Sequence, residues 1–205
     1  MSKLATGNMR VGEIIIFIGK LQLFWFIILF RYLIIAGVFP ATTAVIDLFF
    51  RTFEENNVNS KKLSFSIFKA SAMENFKRSN QVGYLGLAAL LFLYADFRLA
   101  LVFTHNVYVT VCLGALLVIL ASSFLYLIPA IVRYDLSVKN SFRQAFFLLL
   151  ANIPNTIAMV IGMGLAGLIG FFIPVLVLVP VPLFLLANAW FSYQSMIKLE
   201  KANEK

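Results

Sequence analysis

Cysteine is almost missing from this chain. Cys112 stands alone between Val111 and Leu113, so one molecule can build neither a disulfide framework nor a thiolate metal site, and the residue reads as inert packing. Histidine is as scarce: His105 has no second ligand at helical spacing, which argues against zinc. Charge is also short, at 13% against 61% hydrophobic residues with a mean hydropathy of +0.92, too little to clothe a globule in water. Acidic residues are the scarcer sign, 9 against 17 Lys and Arg, giving a net +8. A nucleic-acid module would carry such an excess on one face of a soluble fold. Here the cations punctuate apolar runs, so the implied partner is a lipid bilayer with an anionic inner leaflet, not nucleic acid. No nucleophile stands with a base, and no paired carboxylates or phosphate loop occur, so the chain reads as a non-enzyme without cofactor or metal.

What is present is greasy length. The 205 residues leave room for about four to six helical spans, each needing about 20 residues. Charge marks off apolar stretches at 14–39, 82–103 and 106–132. The uncharged run from Gln144 to Ile197 is far too long for one crossing. A break at Gly162, Gly164, Gly167 and Gly170, closed by Pro174, divides it into spans at 144–165 and 171–193. The expected fold is therefore all-α: one polytopic transmembrane bundle of five spans over residues 1–205, with cytoplasmic interfacial amphipathic helices. Gly162-x-Gly164-x-x-Gly167 spells a dinucleotide fingerprint, but it lies between apolar spans instead of after a β-strand, so it reads as a turn or a close helix contact. The stretch from Ile14 is too long, and too interrupted by Lys20 and Arg31, for a cleaved leader, and reads as an uncleaved first span.

Basic residues near span ends stay in the cytoplasm. Arg51, Lys61, Lys62, Lys69, Lys77 and Arg78, then Arg133, Lys139 and Arg143, then Lys198, Lys201 and Lys205 fall on one side, against Lys3 and Arg10 on the other. Five spans then put the N-terminus outside and the C-terminus inside the cytoplasmic membrane. In the 63–80 connection Phe65, Phe68, Ala72 and Phe76 recur at helical spacing, which predicts an amphipathic helix on the membrane or packed on the bundle. A shorter one follows span three, with Asp135 and Ser137 as caps and Ser141 to Gln144 at capping-box spacing. Glu54 to Lys62 reads as a solvated turn. Pro40-Ala41 ahead of Asp47-Leu48, and Pro129-Ala130 ahead of Asp135-Leu136, hint at an internal duplication of the kind transporters carry.

Charges inside spans are costly, so they are candidate functional groups. Glu13, Lys20 and Arg31 come back to within about 20° of one direction on a helix, forming one polar stripe. The stripe could line a pathway, with Asp96 as a pairing partner, or Arg31 could snorkel to the interface and leave Lys20 alone at depth. Asp96 and Arg98 are too close in sequence to pair across a helix and suit interfacial anchors. Asn152 and Asn155 flank Pro154, and with Asn188 they suit interhelical hydrogen bonds or a substrate pocket.

Three segments carry a resemblance: Phe39-Pro40-Ala41-Thr42-Thr43-Ala44; Phe65 through Phe76-Lys77; and Tyr134 to Asn140 with Asn152 to Thr156. Together they resemble the YesL-like family of bacterial membrane proteins, defined by a domain of unknown function. Phe39 departs from the family, where glycine is usual. The resemblance implies a bacterial plasma-membrane protein linked to carbohydrate uptake or utilisation, with a sugar permease as the implied partner. It implies no reaction and no binding residues. The expected function is accessory to such uptake; the alternative is a small transporter or its substrate-binding subunit, with Lys20, Arg31, Asn152 and Asn155 meeting near the midplane.

Overall fold

A computed structural model describes residues 3–55, 58, 60–103, 106–172 and 180–203. Eight helices follow in order among them: α1 Lys3–Arg31, α2 Ile35–Glu55, α3 Phe65–Glu74, α4 Phe76–Phe103, α5 Val107–Tyr134, α6 Val138–Ala151, α7 Ile153–Phe172 and α8 Pro180–Asn203. The helical bundle expected from composition is present. Four helices are long and apolar enough to cross a bilayer, Gly12–Arg31, Ile35–Glu55, Phe76–Phe103 and Val107–Tyr134; the pair α6–α7, bent by 98°, adds a fifth only where the two count as one broken span.

The segments 82–103 and 106–132 read from the sequence fall on α4 and α5, but the others do not match the helices. The stretch 14–39 is no single span: α1 stops at Arg31, Leu33 and Ile34 take left-handed backbone angles of 55° and 58° in φ, and α2 starts at Ile35. Such angles cost a β-branched residue energy, so the turn is held from outside itself. Gly37 allows this, because a Cβ there would lie 2.8 Å from the Ile28 carbonyl oxygen. Helices α1 and α2 thus form an antiparallel hairpin, with Phe17 against Phe49 at 6.2 Å and Trp25 donating to Thr42 at 3.4 Å. Pro40 sits inside α2 instead of ending a span.

The glycine run is no turn either. Helix α7 continues through Gly162, Gly164 and Gly167, and the break falls earlier, at Asn152, where α6 and α7 meet at 98°. Glycine permits a break but does not compel one, while Pro154 needs no amide partner at the start of a new helix. Of the two readings of Gly162, close contact holds: a Cβ there would lie 3.2 Å from that of Ala187 on α8. Pro174 lies outside the described residues.

Helices α4 and α5 form a second hairpin. Arg78 pairs with Asp135 at its foot, Gly86 faces Phe124 and Leu127, and Gly114 faces Phe97 farther up. Helix α2 begins against that foot, where Asn80 and Tyr84 donate to the Ala36 and Ile35 carbonyls, and ends against it, where Glu54 pairs with Arg133. It therefore crosses the foot instead of running up beside the hairpin. Its central residues from Pro40 to Phe50 are largely buried, making it the middle of the core.

The 63–80 segment is two helices, α3 and the start of α4, parted at Asn75, where α3 ends. Phe65 and Phe68 pack on Phe24, and Phe76 on Tyr32, so the apolar stripe faces the bundle. Ser64 caps α3 by accepting from the Ile67 amide. For α6 the capping-box reading fails: Ser137 is the cap residue, without a side-chain bond, and Ser141 lies inside the helix, bonding back to the Ser137 carbonyl. Cys112 is exposed on α5 and fills no packing gap.

Candidate functional site

Proline inside a helix leaves the carbonyl four residues earlier without its usual donor. In α5 Pro129 frees Leu125, and the Asn188 amide of α8 donates to that oxygen at 2.9 Å. In α2 Pro40 frees Ala36, and Asn80 of α4 donates to it at 3.1 Å. The two Pro-Ala pairs seen in the sequence are thus served by the same device, an asparagine from a neighbouring helix.

Asn188 opens a polar seam between α5, α7 and α8. Ser192 and Ser195 follow it on one face of α8 and return their hydroxyls to the carbonyls of Asn188 and Phe191. Asn155 donates to the Ser195 hydroxyl at 3.0 Å, and Asn152 to the Ser195 carbonyl at 3.5 Å. Thr156 donates to the Asn152 carbonyl, which leaves its oxygen to accept from the Tyr126 hydroxyl at 2.9 Å. Tyr126, Asn152 and Ser195 are buried, and the Asn152 side-chain oxygen has no partner within the protein. A buried amide oxygen left unpaired costs about 1–3 kcal/mol. Asn155 also lines an open groove of about 450 Å³ with Trp190, Phe191, Gln194, Ile197, Lys198 and Lys201. Amides, an aromatic face and two ammonium groups suit a polar or anionic small molecule held by hydrogen bonding and stacking.

Below the seam lies an ionic clamp. Arg133 pairs with Glu200 of α8 at 2.8 Å and with Glu54 of α2, and its guanidinium stands 5.6 Å from the Tyr193 ring centre. The last turns of three helices are tied to one cation. The hydrogen bond from Arg133 is the chief cause holding the Glu200 carboxyl below its ordinary value; burial opposes it.

The candidates read from the sequence fall in separate places. Glu13, Lys20 and Arg31 do share α1, but Lys20 turns to the protein, donating to the Ser60 carbonyl at 2.7 Å and that of Leu63 at 3.2 Å. Arg31 is exposed beside the α1–α2 turn, and Glu13 is half-buried. Asp96 and Arg98 lie on the outer half of α4, and no ion pair joins them or Lys20 among the described residues. Asn152 and Asn155 do meet, through Ser195, but neither Lys20 nor Arg31 is hydrogen-bonded to that seam. His105 lies outside the described residues. Among the described residues no three His, Cys, Asp or Glu converge as metal ligands. Sequence reading passed over Tyr126, Ser192 and Ser195, and took Arg133 only as a connection cation and Thr156 only as part of a segment. Asn188, Ser192 and Ser195, spaced four and three apart in an apolar run, were the available signal.

A family described as "Protein of unknown function, DUF624" matches residues 18–97. The chain is 25% identical over 189 residues to the uncharacterised protein YesL of Bacillus subtilis (strain 168), covering 92% of this chain and 88% of that one. No solved structure matches.

Proposed function

For this YesL-like chain of the DUF624 family, we propose a non-enzymatic accessory role in a bacterial cytoplasmic membrane, exerted by packing against a partner membrane protein. A carbohydrate permease is the partner to which the family resemblance points. One observation carries the reading: the α4–α5 hairpin leaves the core after its first turns. Burial on α4 falls at Ser79, Val82, Gly83 and Gly86, with Ala100 alone beyond them, and on α5 between Ser123 and Ile131. The outer halves bare Leu91, Phe92, Val111 and Val118 at span depth, a face on which another helix can seat. Tagged protein drawn from native membranes should bring a carbohydrate permease with it, and a Leu91→Ala, Phe92→Ala double variant should release it. Recovery of the permease undiminished by the variant would overturn the reading.

A second reading, a substrate-binding membrane subunit, rests on the α7–α8 groove, where Asn155, Trp190, Gln194, Lys198 and Lys201 converge. It requires a small solute to raise the unfolding midpoint of the isolated protein, and Asn155→Ala to abolish that rise.

The hairpin also favours a different orientation from the N-terminus-outside one counted on five successive spans. Because α1 and α2 fold back on each other, the N-terminus and the 56–64 connection share a side, whichever way the hairpin sits. Helices α4 and α7 leave the foot and α5 and α8 return to it, so the chain ends there too. In the proposed topology both termini are cytoplasmic, and Lys3 and Arg10 join the other connection cations on one side. Reporter fusions at the two ends and between α4 and α5 should read inside, inside and outside. An external N-terminus would sink it.

A further inference from the structure

The outer side of helix α6 changes polarity along its length. Its inner face, Ser141, Ala145, Leu148 and Leu149, is buried on the bundle. On the outer side Lys139, Asn140 and Arg143 occupy the first half, and Phe146, Phe147 and Leu150, all about half exposed, the second. A groove of about 540 Å³ runs along it, lined by Leu136, Asn140, Arg143, Gln144, Phe147 and Leu150 among others. Since α6 meets α7 at 98°, an α7 that crosses the bilayer lays α6 in the plane of the interface. Its basic half joins the α5 terminus beside Asp135, and that carboxylate is taken by Arg78. Neither Lys139 nor Arg143 has an ion-pair partner among the described residues.

We propose that this groove is a binding site for one anionic phospholipid, its phosphodiester held by Arg143 with the Asn140 and Gln144 amides, and an acyl chain laid along Phe147 and Leu150. Guanidinium matches a phosphate oxygen pair in two parallel hydrogen bonds, and the two amides supply further donors to the headgroup. The apolar half then covers the first carbons of the chain, which a free phosphate compound does not have. This is a discrete site, unlike the diffuse attraction of any basic surface to an anionic leaflet.

Full-length protein in nanodiscs of mixed phosphatidylglycerol and phosphatidylcholine, released and weighed intact by native mass spectrometry, tests it. The wild type should keep one phosphatidylglycerol. Arg143→Gln should reduce the retained lipid by roughly tenfold or more, as loss of charged hydrogen bonds requires, and Phe147→Ser should reduce it too. Lys139→Gln, on the same helix with the same charge change, should leave retention within about twofold. Equal losses from Lys139→Gln and Arg143→Gln would reduce the site to surface charge and overturn the proposal. Displacement of the lipid by free glycerol phosphate would overturn it as well. An unchanged unfolding midpoint for Arg143→Gln separates a lost ligand from a lost fold.

Discussion

Asn188 of α8 donates to the backbone oxygen of Leu125, the carbonyl that Pro129 leaves without a donor in α5. One residue breaks a helical hydrogen bond and another, on a different helix, restores it, so the bond fixes how α5 and α8 sit together. Because Asn80 serves Ala36 below Pro40 in the same way, the core helix α2 is tied to α4 by a matching bond.

Asn188→Ala should lower stability in detergent by about 0.6–2 kcal/mol, the range of interhelical hydrogen bonds in membrane proteins. In a Pro129→Ala background the amide of residue 129 can serve Leu125 itself, so the same change should cost less. A double-mutant cycle on unfolding midpoints measures the difference; strictly additive effects would show that the bond does not serve the proline gap.

Gly83 makes room for Phe39, because a Cβ at position 83 would overlap the Phe39 ring, which itself meets Tyr84 edge-on at 4.9 Å. Gly83→Ala should therefore destabilise by about 1–3 kcal/mol despite its better helix propensity. Phe39→Ala should rescue the variant, and the thermal midpoints of the two single changes and the pair decide the matter.

Glu200 has its folded-state affinity for protons lowered by Arg133, so its contribution is present above the ordinary value of 4.5 and fades as pH falls below it. Unfolding midpoints should drop on acidification through that region. Arg133→Gln should flatten this dependence and lower the midpoint at neutral pH, since Glu54 and Glu200 would then face each other without their cation.

Lys20→Met should loosen the 60–63 connection, whose Ser60 and Leu63 carbonyls lose their shared donor, at a cost of about 1–3 kcal/mol. Faster amide exchange or proteolysis confined to this connection is the expected signature. A variant unchanged in both would show that water replaces the ammonium there.

Hydropathy and charge spacing were enough to assign the class: an 18-residue apolar window needs no neighbour to be apolar, so α4 and α5 were legible almost to their ends. The α1–α2 turn was not. Leu33 and Ile34 carry no turn chemistry, and their left-handed angles exist because Gly37 lets two helices touch. Asn152 and Asn155 were visible as polar residues in a greasy run, whereas their common partner, Ser195, lies some 40 residues away and only packing brings it near. The glycines of α7 misled in the opposite direction, because backbone freedom permits a break without requiring one.

By itself the sequence determined that this chain is helical and belongs in lipid, because solvent preference is summed residue by residue. The tertiary structure decided which apolar stretches pair, where they reverse, and that Arg133 would bind three helix ends. Those outcomes depend on contacts between residues distant in the chain, which no local window contains.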